Sequence, residues 1–193
     1  MDAQQLSAVL LIAGFAVLVL GLPFGVPGLY QATDPAERVQ LIEQHKTRFK
    51  VTQVSLALGF LLTTVGFVVL ASELRKVGNA WIPTLGAAAL VVGVISGEYF
   101  IYRQTTDPLR AYSGQYSGFE TLSYWLWLAG LLLFGVASLQ AGLPAWLGYL
   151  AAGAALIYGV IFLVTGSGFL TPGFVALFGL ATAIVLFWQK PLP

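Results

Sequence analysis

The sequence predicts an all-α membrane protein: six transmembrane helices, with an amphipathic helix before the second. Three observations carry that prediction. Hydrophobic residues make up 58% of the 193 residues and charged residues only 9%, against about 25% charged in a soluble domain. Several apolar runs reach the roughly 20 residues that a helix needs to cross about 30 Å of hydrocarbon. Trp81, Trp125, Trp127, Trp146 and Trp188 all fall near the ends of these runs, where amphipathic rings sit at membrane–water interfaces. Residues 1–193 read as a single integral membrane domain.

The first span covers residues 6–22; it has no basic segment ahead of it and no small-residue cleavage site, so it reads as a retained helix rather than a signal peptide. It closes in LPFGVPG, where Pro23, Gly25, Pro27 and Gly28 stop a helix because proline lacks the amide donor and glycine is conformationally loose. Asp34, Pro35 and Glu37 then form a helix start with a capping-box pattern. An amphipathic helix over residues 35–50 follows, running on into the second span at 51–72 with no Gly or Pro until Gly59. Val39, Ile42 and Phe49 give it an apolar stripe suited to an interface or a partner helix. The remaining spans are 82–102, 122–140, 144–164 and 172–188, the last opened by Thr171 and Pro172. Six spans place both termini on the same side of the cell membrane.

The polar residues are unevenly distributed. Asp34, Glu37, Arg38, Glu43, Lys46, Arg48, Lys50, Glu98, Arg103, Asp107, Arg110 and Glu120 share one face, joined there by His45 and by Tyr30, Tyr99, Tyr102, Tyr112, Tyr116 and Tyr124. No charge occurs from Thr121 to Gln189, so spans four to six read as a lipid-adapted scaffold. Lys and Arg number six on the charged face and three (Arg75, Lys76, Lys190) opposite. The positive-inside rule would put the charged face in the cytoplasm. Acids nearly cancel those bases, and the orientation stays open.

Candidate ligand-binding residues are Glu98, Tyr102, Arg103, His45, Arg48, Gln53, Glu120 and Tyr158. Glu98 lies about four residues inside its span, roughly 6 Å deep at 1.5 Å per residue, and an acid at that depth is a functional-site hypothesis. It can serve a cation or proton, or simply pair with Arg103 or Arg48. Tyr158 can hydrogen-bond Glu98 or pack locally, and Thr63 and Thr64 are expected to bond back to their own helix. The others could converge between spans two, three and four as a cleft for a cation, a lipid headgroup or an aromatic ligand, or form a surface salt-bridge network.

Catalysis finds little support. The chain has no Cys and one His, too few for a thiolate site, a zinc helix or a bis-histidine haem. Gly166-Ser167-Gly168 reads as a turn, and a net charge of +1 gives no basis for binding nucleic acid. No cofactor or metal is implied. Gly93 with Gly97, and Ala151, Ala155 and Gly159, form small-residue faces that let helices approach closely in lipid, within the bundle or in a homo-oligomer or protein partner.

The segment YWLWLAGLLLFGVASLQAGLPAWLGYLAAGAALIYGV, residues 124–160, resembles a bacterial multi-spanning membrane family known only as a domain of unknown function. Phe134-Gly135, Leu143-Pro144 and Leu147-Gly148 carry the resemblance, and RFKVTQ and LASELRKVGN extend it; Ala145-Trp146 stands where the family commonly has a basic residue. The resemblance implies a cytoplasmic loop between spans two and three and no catalytic residues. The expectation is a non-catalytic structural, accessory or lipid-interacting subunit in contact with membrane lipids. The alternative is a small transporter or sensor with a polar pocket around Glu98 for a cation or amphipathic ligand.

Overall fold

The computed structural model describes residues 2–29, 31–165 and 171–188, and all regular structure among them is helical. Helix α1 (Ala3–Gly21) starts on a capping box, with Asp2 accepting from the Gln5 amide at 2.7 Å and the Gln5 side chain accepting from the Asp2 amide at 3.3 Å. It ends in a 3-10 turn over Leu22–Phe24. Helix α2 (Pro35–Gln44) starts where Asp34 accepts from the Ala36 amide at 3.0 Å; the Glu37 arm of the expected box is not formed. Then follow α3 (Lys46–Val77), α4 (Trp81–Thr106), a short α5 (Pro108–Tyr112), α6 (Ser117–Gln140), α7 (Ala145–Thr165) and α8 (Thr171–Trp188).

The end of the amphipathic helix and the span count need correction. The amphipathic helix stops at Gln44 instead of running to 50, because His45 leaves helical geometry at φ −122° and ψ 34°. Lys46–Lys50 instead form the start of α3, whose 32 residues span about 48 Å at 1.5 Å per residue. That exceeds the hydrocarbon thickness, so the polar ends of α3 protrude. The bend folds α2 back over the bundle end, where Ile42 and Phe49 pack with Val26 and Leu29 in a small cluster of their own. The count of six spans is also not exact. Among the described residues five helices are long and apolar enough to cross a membrane, whereas the apolar stretch of α8, Gly173–Trp188, is shorter. The expected turn at 166–170, with Gly166-Ser167-Gly168, lies outside the described residues, as do Tyr30 and Lys190.

Helix α1 packs on α3, α3 on α4, α4 on α6, α6 on α7, α7 on α8 and α8 on α1, so the helices close into a ring. Across its middle α3, α6 and α8 touch one another. Phe67 stands at that meeting point, its ring 4.8 Å from Phe134 and 5.8 Å from Phe178. In lipid there is no water to squeeze out between helices, so packing and hydrogen bonds must hold them together. Glycines supply the close approach: Gly14 and Gly59 lie against each other's backbone, as do Gly135 and Gly148. Buried Ser7 donates to the Gly66 carbonyl at 2.9 Å, tying α1 to α3. Gln4 donates to the Leu186 carbonyl at 3.0 Å, tying the start of α1 to the end of α8.

The small-residue faces are used inside this bundle. Gly93 and Gly97 receive the Trp127 ring, and Ala151 sits against Gly135. Ala155 is buried, whereas even a Cβ added at Gly159 would only reach Leu128 and Trp125 at 4.0 Å. The Thr63 hydroxyl does not bond back to its helix as expected: it is buried without a partner, pressed where Gly14 crosses α3.

Candidate functional site

The charged face is built where α2, α5 and the ends of α3, α4 and α6 meet, and its side chains form separate groups. The largest is centred on Arg103, in the last turn of α4. Its guanidinium bonds Asp107 at 3.2 Å, donates to the Tyr116 hydroxyl and lies over the Tyr116 ring at 4.4 Å. The Tyr116 hydroxyl also donates to Asp107 at 3.3 Å, and Arg110 approaches the same carboxylate at 3.8 Å. This cluster fastens α5 and the start of α6 to α4. Tyr116→Phe is expected to destabilise the protein by about 1.5 kcal/mol, the low end for hydrogen bonds to charged groups, because the site is only part-buried and the ring packing is retained. Thermal unfolding in detergent checks it, and an unchanged midpoint would mean that the cluster is ornamental.

A second group ties α2 to α5: Arg38 donates to the Ala32 carbonyl at 2.7 Å and stacks over Tyr112 at 5.3 Å. Glu120 accepts from Tyr124 one turn along α6 at 2.8 Å. Between α3 and α4, Gln53 donates to Gln104 at 3.3 Å; Gln53 is only 6% exposed and its own oxygen is left without a partner.

The sequence-derived residues are therefore distributed rather than gathered into one cleft. Glu98 makes no ion pair among the described residues, and one of its carboxylate oxygens is buried without a partner. Arg48, one of its expected partners, reaches the Pro23 carbonyl at 3.1 Å; Arg103, the other, belongs to Asp107 and Tyr116. Tyr102 is largely exposed, and His45 forms the bend between α2 and α3. Tyr158 packs on the Phe174 ring at 4.5 Å, between α7 and α8.

One cavity opens on this face, about 320 Å³, where α2 and the start of α3 meet the end of α4 and the start of α5. Ile42 and Phe49 are its buried floor, and Glu43, Lys46 and Lys50 stand exposed at its edge with Thr105 and Pro108 opposite. None of the three charges makes an ion pair among the described residues. The start of α3 adds the positive end of a helix dipole. A buried apolar floor under unpaired charges of both signs suits an amphiphile with a zwitterionic head. Sequence reasoning did not single out Glu43, Lys46 and Lys50. The four-residue spacing of Lys46 and Lys50 was the available signal, since it places both on one stripe of α3; Glu43 joins them from α2 across the bend at His45.

No known protein family, curated protein or solved structure matches the chain.

Proposed function

We propose that the protein is a non-catalytic, lipid-interacting membrane protein that holds a zwitterionic phospholipid headgroup in the groove at the junction of α2, α3, α4 and α5. The observation that carries this reading is the groove itself, with Ile42 and Phe49 beneath Glu43, Lys46 and Lys50. The two ammonium groups take the phosphate, Glu43 takes the headgroup amine, and the acyl stem lies along the apolar floor. Other cations on this face are already engaged, Arg103 with Asp107 and Tyr116, Arg38 with the Ala32 carbonyl and Arg48 with the Pro23 carbonyl, and so act as fastenings. We propose with this that α8 crosses the cell membrane as the sixth span, which puts both termini on the side opposite the groove. Membership of the uncharacterised bacterial family that residues 124–160 resemble belongs to the same proposal.

The test is native mass spectrometry of protein exchanged into micelles with short-chain phosphatidylethanolamine. Wild type is expected to retain one lipid. Lys46→Glu with Lys50→Glu is expected to lower affinity about tenfold or more, each basic group near a headgroup being worth about 1 kcal/mol. Equal retention by the two proteins would overturn the reading. A second reading, a transporter or sensor with a cation at Glu98, rests on the unpartnered buried carboxylate oxygen.

A further inference from the structure

We infer that the chain is a cyclic array of three helical hairpins, α1–α3, α4–α6 and α7–α8, of which the first two are copies of one unit. Close contacts inside the first two hairpins share a register. Leu18 of α1 sits over Gly59 of α3, and Leu90 of α4 sits over Gly130 of α6. Gly14 meets Thr63 where Gly86 meets Phe134; Gly21 meets Ser55 where Gly93 meets Leu126, next to the Trp127 ring that lies closer still. On the leading helices the counterparts 14 and 86, 18 and 90, 21 and 93 are each 72 residues apart. On the returning helices 55 and 126, 59 and 130, 63 and 134 are each 71 apart. A constant register through six positions is not expected from glycine-rich helices that pack independently. The connections agree as well. Each contains Thr-Asp-Pro, at Thr33-Asp34-Pro35 and Thr106-Asp107-Pro108, and in each the proline opens the short helix on the charged face.

The third hairpin shares the arrangement rather than the register. The returning helices α3, α6 and α8 form the inner triangle, and each touches the leading helix of the next hairpin: α3 on α4, α6 on α7, α8 on α1. The leading helices α1, α4 and α7 all run in one direction, so this is a parallel repeat about an axis along the membrane normal rather than an inverted one. The copies differ at the seams. The seam of α3 with α4 carries the charged groove. The equivalent seam of α6 with α7 carries an apolar cavity of about 330 Å³ floored by Leu128, Ala129, Ala155 and Gly159.

Circular permutation of the full chain tests this, with residues 193 and 1 joined by a short Gly/Ser linker. The bond between Gln4 and Leu186 shows that the ring is already closed near the two chain ends. Opening between Gly78 and Asn79, or between Gly142 and Leu143, starts the new chain with a leading helix of unchanged direction. Both permutants are expected to be monodisperse and to melt within a few degrees of the parent. Opening within a hairpin, between Gly114 and Gln115, starts with a helix of opposite direction and is expected to fail. Better tolerance at Gly114 than at Gly78 would overturn the inference. A second measurement does not depend on permutants inserting: the parent has no Cys, so Leu18→Cys with Gly59→Cys, and Leu90→Cys with Gly130→Cys, are expected to oxidise to disulfides equally well. Closure of one pair alone would show that the two hairpins do not share a register.

Discussion

Gly130→Leu is expected to destabilise the protein by about 3 kcal/mol, the upper range for forcing extra carbons into a packed core, and Gly59→Leu is expected to match it. A Cβ at Gly130 would stand 2.7 Å from Leu90 Cγ and 3.2 Å from the Gly86 carbonyl. Leu90 is only 1% exposed, so it has nowhere to rotate. Backbone on the far side cannot yield without separating α4 from α6. At Gly59 the obstacle is Leu18, backed by the Gly14 carbonyl at 3.0 Å. The control is Gly153→Leu on α7, which meets nothing within 4 Å and is expected to cost less than about 0.5 kcal/mol, as for an ordinary surface change. Thermal unfolding in one detergent measures all three. A Gly130→Leu protein that melts with the parent would show that the glycine contacts are incidental and that other forces close the bundle.

Much of this architecture is legible in the sequence because hydrocarbon leaves few choices. A backbone in lipid must satisfy its own hydrogen bonds, so a long apolar run is a helix and its ends are marked by Trp, Pro and Gly. What the runs do not encode is which face of each helix meets which neighbour. Lipid-facing and buried positions are equally apolar here: Ile95 is 63% exposed and Val94 is 4% exposed, and composition cannot separate them. The break at His45 was illegible for a related reason. Neither Gly nor Pro marks it, and it forms because α2 turns to cover Val26, Leu29 and Phe49, which are brought there by the end of α1 and the start of α3. At the charged face, the residue types were legible and their partners were not. Arg103 was expected near Glu98, five residues away on the same helix. Asp107, four residues on and thus one turn above it, is the better placed acid, and Tyr116 arrives from beyond a loop whose path the sequence does not specify.

That choice of partner by Arg103 leaves Glu98 as the one acid among the described residues with a buried, unpartnered oxygen, and Glu98→Met is expected to raise stability by about 1–2 kcal/mol. A buried polar atom without a partner forfeits its hydration and recovers nothing, whereas an apolar group of similar shape avoids that cost. Had Glu98 been paired with Arg103 or Arg48, the same substitution would strand a cation and lose about 3–5 kcal/mol; the observed partners of both arginines remove that penalty. The sign of the change thus separates a carboxylate that is merely tolerated from one retained for a ligand. If Glu98 holds a cation, wild type gains stability as that cation is added, by an amount that grows with the logarithm of its concentration above the dissociation constant, and Glu98→Met does not. Melting wild type and Glu98→Met across a series of sodium and potassium concentrations decides it. Higher stability of Glu98→Met at every concentration leaves the lipid groove as the candidate site, and a crossover in favour of wild type as cation rises moves the site to Glu98.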